Sequence, residues 1–140
     1  MEHIISTPTV KAPAERFTGD VYLDTVESPT APARLGAALV RFTPGARTHW
    51  HRHVHGQTLR ITDGEGLVVT RDGSAVRVTA GQTVKCPPGE EHWHGGTATT
   101  LMAHLAMVVG DADGDGTTWL EPVSDEEFAQ ALHDTEGSAT

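Results

Sequence analysis

Four side chains in two separate segments have the residue types and the spacing to bind one divalent metal ion. His51 and His53 lie two positions apart, and on a β-strand such residues point to the same face. Gln57 has the same parity and can supply an amide oxygen, and His92, shortly after a Pro-Pro-Gly turn, can arrive from a neighbouring strand. Imidazole nitrogens and amide oxygens are ordinary ligands of divalent metals. The pattern therefore predicts a metal site formed by His51, His53, Gln57 and His92.

A metal held by these ligands would act as a Lewis acid. Three neutral imidazoles and a neutral amide leave its double positive charge uncompensated, whereas a carboxylate would cancel part of that charge and favour a higher oxidation state. We therefore expect polarisation of a bound oxygen rather than redox chemistry, and weaker retention of the ion than in a site with a Glu ligand. Incidental surface histidines are the alternative interpretation, but imidazoles clustered in this way repel each other when protonated.

Short strands between tight turns must position these side chains. Fifteen glycines, eight prolines and little helical periodicity predict an all-β chain folded as a barrel or sandwich. Asp63-Gly64 and Asp72-Gly73 each predict a hairpin turn. Ser124 followed by Glu127 matches a capping box, which predicts a short helix near the C-terminus. We predict one domain, with an N-terminal arm over residues 1–16, a β-barrel over 17–123, and a helix and tail over 124–140.

Composition and charge argue against several classes of partner. The chain of 140 residues has 19 acidic against 10 basic side chains, so nucleic acid is not an expected partner. The sequence lacks the basic start and apolar run of a secretion signal, and no apolar stretch approaches membrane-spanning length, so we expect no membrane partner. A single cysteine, Cys86, excludes an intramolecular disulfide and suits a reducing compartment, so we expect a cytoplasmic protein.

The two histidine segments resemble the paired motifs of the cupin superfamily. The first consists of Gly45, five residues, His51-x-His53, three residues, Gln57, six residues and Gly64. The second consists of Gly81, five residues, Pro87-x-Gly89, two residues and His92. Two positions depart from the common pattern, because Gln57 stands where most cupins have Glu and Gly96 stands where many have Asn.

Further segments are similar to one branch, the small single-domain cupins that include bacterial manganese-dependent hydroxynitrile lyases. The matching pieces are Phe17-Thr18-Gly19, Pro44-Gly45-Ala46-Arg47-Thr48, Gly56-Gln57-Thr58-Leu59, His92-Trp93-His94-Gly95 and His104-Leu105-Ala106. The match covers roughly residues 17–128, and Gln at position 57 belongs to the pattern of that branch. The resemblance implies a jelly-roll barrel with one divalent metal per chain. Mn(II) is favoured by the resemblance, while Fe(II), Zn(II) or Ni(II) also suit the ligand set.

The resemblance also implies catalytic and substrate-binding residues. His94 lies two positions after a predicted ligand, and His104 interrupts an apolar strand, where a buried polar group needs a partner. In the resembling lyases such histidines lie beside the metal, and one can act as general base; a hydrogen-bonded core histidine is the alternative for each. Ala38 and Val40 hold positions that line the pocket in those enzymes, and His49 could line it as well. Small apolar residues there leave room for an aromatic or aliphatic group, although ordinary core packing favours the same residue types.

Three classes of function follow from this sequence as alternatives. The first is a metal-dependent lyase of the hydroxynitrile type, which cleaves a cyanohydrin to an aldehyde and cyanide or catalyses the reverse addition. The second is a cupin dioxygenase, or an isomerase or decarboxylase acting on a small hydroxy or keto acid. The third is a ligand-binding cupin without enzymatic activity. The expected partner is a small molecule, and small cupins of this kind are expected to form homodimers or homotetramers.

Overall fold

The computed structural model describes residues 1–137, and β-strands make up nearly all of its regular structure. The strands are β1 (Val10–Lys11), β2 (Phe17–Thr18), β3 (Val21–Glu27), β4 (Leu35–Phe42), β5 (Arg47–Thr48), β6 (His51–His53), β7 (Gln57–Thr70), β8 (Ala75–Thr79), β9 (Thr83–Cys86), β10 (His92–Gly96), β11 (Met102–Val109) and β12 (Thr117–Trp119). They are followed by one helix, α1 (Asp125–Asp134). The predicted all-β fold with a short C-terminal helix is confirmed. Residues 138–140, the end of the predicted tail, lie outside the described residues. No helix within residues 1–137 has the length and apolar character needed to cross a membrane.

The strands form one strongly curled sheet with two sides. On the first side β1, β3, β4 and β11 follow one another, and β11 pairs with the first half of β7. On the second side the second half of β7 pairs with β8 and β10, and β10 continues to β5 and β6, with β2 and β12 beyond them. The curl lets side chains from β4, β6, β7, β10 and β11 point towards one interior. β1 falls within the predicted N-terminal arm, so part of that segment belongs to the sheet.

Strand β7 continues through Asp63-Gly64, and the prediction of a hairpin turn there is therefore wrong. Gly64 has a φ of 74°, and the pairing register with β11 shifts between Ala103 and His104, which marks a β-bulge. A Cβ atom at Gly64 would collide with the carbonyl oxygen of Leu101. An Asp-Gly pair favours a tight turn because glycine accepts a positive φ, and the bulge uses the same property. The bulge bends β7 from the first side of the sheet to the second.

The other two local predictions are confirmed. β7 and β8 form an antiparallel hairpin around Asp72-Gly73, where Gly73 has a φ of 96°. At the start of α1 the Ser124 hydroxyl accepts a hydrogen bond from the Glu127 N–H, and the Glu127 carboxylate accepts one from the Ser124 N–H, each at 3.0 Å. These two bonds satisfy backbone donors that the first turn of a helix leaves unpaired.

Apolar side chains pack in two clusters. The first cluster lies inside the sheet and consists of Ala12, Val21, Val40, Phe42, Ala46, Leu59, Ile61, Val68, Val78, Cys86 and Met102. The second lies where α1 packs against the sheet and consists of Trp50, Leu67, Val69, Trp93, Val123, Phe128 and Ala131. Alternation along β10 divides its residues between the two environments, since Trp93 joins the second cluster while its neighbours His92 and His94 point the other way.

Arg47 links β5 to the helix α1. Its side chain is only 5% exposed, and its guanidinium donates hydrogen bonds to the Val123 carbonyl oxygen at 2.9 Å and to the Asp125 carboxylate at 2.8 Å. The guanidinium also lies 4.7 Å from the centre of the Phe128 ring. These bonds satisfy a buried charge. They hold α1 on the sheet at β5, the strand that immediately precedes His51 and His53 in the sequence.

Candidate metal centre and catalytic cavity

The structure brings His51, His53 and His92 together on two neighbouring strands. β6 carries His51 and His53 on one face, and β10 pairs antiparallel with β6 so that His92 lies opposite His51. One ring nitrogen from each of the three imidazoles lies within 4.8 Å of the other two, and all three residues are buried. Such a cluster could hold a metal ion. The spacing argument therefore predicted the convergence of these three side chains.

Hydrogen bonds orient two of the three rings with their Nε2 lone pairs free. His51 Nδ1 lies 3.0 Å from the carbonyl oxygen of His49, and His92 Nδ1 lies 3.0 Å from that of Glu90. A carbonyl oxygen can only accept, so each Nδ1 must carry the proton and each Nε2 presents a lone pair. Metal-binding histidines are commonly oriented in this way by a hydrogen bond on their other nitrogen.

His53 is oriented differently, by a side chain from another strand. Its Nδ1 lies 2.9 Å from the Thr117 hydroxyl of β12, while its buried Nε2 makes no hydrogen bond of normal geometry to any part of the chain that the structure describes. A buried polar nitrogen without a partner is costly unless a ligand satisfies it. This nitrogen fits the role of a metal ligand.

Gln57, at the start of β7, is buried beside the imidazoles. Its Oε1 lies 3.1 Å from Nε2 of His92. Because the proton of His92 is used at Nδ1, two lone-pair atoms face each other across this distance. A divalent cation is a partner that both atoms can share. The donor set of His51, His53, His92 and Gln57 therefore fits a divalent metal.

Burial keeps these imidazoles neutral, which is the form that binds metals. It holds the pKa of His51 well below the usual value and lowers the pKa of His92. Burial also lowers the pKa of His53 to about 4; the neighbouring His92 acts in the same direction and the Gln57 side chain acts against it. At neutral pH all three rings are available as ligands without loss of a proton.

His94 and His104 form a second pair of imidazoles next to this cluster. His104 Nε2 lies 2.9 Å from His94 Nδ1, so the two rings share one proton. The centre of the His94 ring lies 5.1 Å from that of His51 and 5.5 Å from that of His92. Burial lowers the pKa of His104 to about 4 and holds that of His94 well below the usual value. Both rings are buried and neutral, and the outer nitrogens, His94 Nε2 and His104 Nδ1, make no hydrogen bond of normal geometry within residues 1–137.

A cavity of about 320 Å³ connects the histidines with an apolar wall. His51, His53, Gln57, His94 and His104 line its polar part. The apolar wall includes the predicted residues Ala38 and Val40, which lie on β4 opposite Ala106 and His104 of β11. The volume suits a small substrate with an aromatic or aliphatic group.

His49, the remaining predicted pocket residue, is not among those that line the cavity. It is buried beside the end of the N-terminal arm, where its backbone N–H donates to the Arg16 carbonyl oxygen at 2.8 Å. Burial lowers the pKa of its side chain. His92 does not line the cavity either, so among the three clustered imidazoles His51 and His53 are the ones that face it.

Sequence reasoning did not assign a role to three further residues at this site. Trp119 of β12 stacks on His51 with ring centres 4.7 Å apart, and Thr117 on the same face of β12 holds His53. Thr48 lines the cavity, and its hydroxyl accepts from the backbone N–H of His94 at 3.2 Å. The alternation Thr117-x-Trp119 is consistent with β12 turning one face to the site, but three residues are too few for the sequence to have indicated it.

A curled β-sheet that carries convergent imidazoles on adjacent strands is typical of metal-binding cupins. The chain belongs to the cupin family, whose cupin domain model matches residues 38–109. This result confirms the resemblance found in the two histidine segments.

Two relatives cover almost the whole chain. The (R)-mandelonitrile lyase of Granulicella tundricola is 41% identical over 128 residues, which are 91% of this chain and 97% of that protein. The crystal structure of a cupin-like protein from Thermotoga maritima superposes with a TM-score of 0.84 at 32% identity, covering 97% of this chain and 99% of the other. A predicted oxalate decarboxylase from the same organism superposes with a TM-score of 0.64 at 24% identity, over 72% of this chain and 90% of that one, and so shares the fold.

Proposed function

We propose that this protein is a metal-dependent lyase of the hydroxynitrile type, which cleaves a cyanohydrin into an aldehyde and cyanide and catalyses the reverse addition. The observation that carries the proposal is the hydrogen-bonded His94–His104 pair, which lines the same cavity as His51, His53 and Gln57. The relative from G. tundricola, similar over nearly its whole length and named an (R)-mandelonitrile lyase, supports this choice among the reactions that cupins perform.

His51, His53, Gln57 and His92 would hold one divalent ion, for which we propose Mn(II). When bound, the ion would supply Lewis acidity towards a substrate oxygen, and the neutral ligand set would leave its charge uncompensated. The four side chains come from β6, β7 and β10, and β10 forms hydrogen-bonded pairs with each of the other two strands. Because β10 pairs with both other strands, the ligand positions are set by the sheet and not by a loop.

The histidine pair would move the proton. With the shared proton on His94 Nδ1 and donated to His104 Nε2, the His94 Nε2 carries a free lone pair, and the centre of its ring lies 5.1 Å from that of His51. This nitrogen would take the hydroxyl proton of the cyanohydrin. The electron pair of the broken O–H bond forms the carbonyl, and the C–CN bond breaks with its electron pair leaving as cyanide. The new imidazolium is stabilised by His104 and returns its proton to cyanide, which leaves as hydrogen cyanide.

The walls of the cavity would place the remainder of the substrate. Small side chains at Ala38, Val40 and Ala106 leave space opposite the imidazoles, and Phe17 and Trp119 supply aromatic surface with ring centres 5.5 Å apart. An aldehyde with an aromatic ring or a short alkyl chain fits this arrangement.

Cyanide release from mandelonitrile tests the proposal. We expect Mn(II)-loaded protein to release cyanide at equal rates in air and under nitrogen, because the reaction consumes no oxygen. We expect His94→Gln to lower kcat by about 100-fold or more, the usual contribution of a general base, with one ion per chain still bound. His55→Gln is the matched control, since His55 is exposed and does not line the cavity. The proposal is refuted if loaded wild-type protein releases no cyanide and forms no cyanohydrin from benzaldehyde.

We also propose that the protein acts in the cytoplasm as a homodimer or homotetramer. The segment before β1 supports self-association, because Ile4 is 58% and Ile5 82% exposed, and Val10 at the sheet edge is 48% exposed. Light scattering on the full chain measures the oligomeric state directly, and the mass of a monomer would contradict this part of the proposal.

A further inference from the structure

A second cleft lies beside the cavity described above. The second cleft has a volume of about 620 Å³, and it shares His53, Asp115 and Thr117 with the lining of the cavity. These three residues are bonded in series: His53 Nδ1 lies 2.9 Å from the Thr117 hydroxyl, and the Thr117 N–H donates to the Asp115 carboxylate at 3.0 Å. The hydrogen-bonded series His53, Thr117 and Asp115 therefore forms the partition between the two spaces.

The second cleft is acidic. Its lining includes the carboxylates Asp111, Asp113 and Asp115 against one guanidinium, that of Arg52. Arg52 lies 3.6 Å from the Glu91 carboxylate, which offsets part of its charge. At neutral pH the cleft therefore presents a net negative charge, and a concave surface of one sign concentrates ions of the opposite sign.

The inner end of this cleft reaches one of the candidate metal ligands. His53 is the member of the three-imidazole cluster that lines the cleft, and it is 5% exposed. Its Nε2 makes no hydrogen bond of normal geometry within the described part of the chain. A buried nitrogen that lacks a partner, on a residue that lines an acidic cleft, has the properties of an ion acceptor. Of these two spaces, His51 and Gln57 line the cavity and not the cleft.

We propose that the acidic cleft is the route by which the divalent metal ion reaches the site, separate from the cavity that the organic substrate occupies. The proposal rests on the metal centre of the proposed function. A hydrated divalent cation is attracted to Asp111 and Asp113, passes to Asp115, and is transferred to His53 across the partition. The lining of the main cavity is mostly apolar, with Ala38, Val40 and Val108. Its two carboxylates, Glu27 and Asp115, stand against one guanidinium, that of Arg16, so it attracts a cation less strongly than the cleft does.

The way in which His53 is held suits a ligand that takes part in loading. His51 and His92 are each fixed by a backbone carbonyl two residues earlier in the chain. His53 is fixed instead by a hydroxyl on β12, directly after the loop that carries the three Asp residues. Its position therefore depends on that loop, whereas the other two rings are fixed by their own segments.

The rate of metal binding tests this route. The variant Asp111→Asn/Asp113→Asn removes two charges from the cleft and keeps the Asp111 side-chain oxygen that accepts from the Asp113 N–H. Chelator-treated full-length protein is mixed with Co(II), whose absorption reports binding, in low salt and in 0.5 M salt. We expect the association rate constant to fall about tenfold at low salt, within the usual range of electrostatic steering, and the difference to shrink at high salt. We expect the dissociation rate constant to change less than about twofold.

A matched control separates the local field of the cleft from total charge. Glu126→Gln/Glu136→Gln removes the same two charges from exposed positions that do not line the cleft, and its association rate should stay within about twofold of the wild-type value. Equal rates for the wild type and the Asp double variant overturn the route, and so does an equal fall in the control. Two ions per chain in the wild type and one in the Asp variant overturn it too, since the cleft would then be a second site. Wild-type protein that binds no ion refutes the metal centre itself.

Discussion

Acid is expected to destabilise the metal-free protein because its clustered histidines are neutral in the folded state. An unfolded His has a pKa of about 6.5, whereas burial lowers the pKa of both His53 and His104 to about 4. Between these values the unfolded chain binds more protons than the folded protein, so the free energy of unfolding falls as the pH falls from about 6.5 towards 4. Stability is restored when the pH is raised through the same window.

The size of the loss follows from the two pKa values. Going from pH 7.5 to 5.5, each of these side chains lowers the free energy of unfolding by about 1.3 kcal/mol. His53 and His104 together therefore account for a loss of about 2.5 kcal/mol, and the lowered pKa values of His51, His92 and His94 act in the same direction. Against a total stability of about 5–15 kcal/mol this is a large fraction.

Urea denaturation followed by tryptophan fluorescence, in a chelator at the two pH values, measures the effect. In His104→Gln we expect the loss between pH 7.5 and 5.5 to be smaller than in the wild type by about 1 kcal/mol. Met102→Leu is the control, because Met102 is a fully buried neighbour on β11 that carries no proton, and its loss should equal that of the wild type. Wild-type stability that is equal at both pH values, or a His104→Gln loss as large as that of the wild type, would refute the reasoning.

Three further substitutions have defined outcomes. Arg47→Met is expected to lower the free energy of unfolding by about 2 kcal/mol, because the buried Val123 carbonyl loses a charged donor. A change below about 0.5 kcal/mol in urea denaturation would contradict the role of Arg47 in holding α1 on the sheet. Gln57→Glu is expected to raise the affinity for Mn(II) about tenfold or more in chelator competition, since the added carboxylate compensates the charge of the ion; unchanged affinity would place Gln57 outside the ligand set. Ser124→Ala is expected to cost about 1 kcal/mol through loss of the bond to Glu127, and equal thermal midpoints for variant and wild type would contradict that value.

The predicted ligands came together because strand periodicity is a strong local constraint. His51 and His53 are neighbours on one face by parity alone, and the Pro-Pro-Gly turn before His92 indicated a second strand. The bond between His94 and His104 depends on the pairing of β10 and β11 with opposite ends of β7, which no local pattern specifies. For that reason their contact was not predicted; the resemblance implied only that both histidines lie beside the metal.

Two features of the structure lay beyond local reasoning for identifiable causes. Asp63-Gly64 was predicted as a turn, but both a turn and a bulge need a residue with positive φ, so the dipeptide alone does not distinguish them. The partner of His53 is Thr117, more than sixty positions away, and the short strand β12 has too few residues to show a period. Contacts of this kind are set by tertiary pairing, which the residues near either partner do not encode.

The central claim is that one ion, bound by His51, His53, Gln57 and His92, is required for cyanohydrin cleavage in the adjacent cavity. The most direct measurement is the rate of cyanide release from mandelonitrile as Mn(II) is titrated into chelator-treated protein, with the bound ion counted by elemental analysis at each point. We predict that the rate rises in proportion to bound Mn(II) and reaches its plateau at one ion per chain. A full rate without bound ion, or no cyanide at one ion per chain, would contradict the claim.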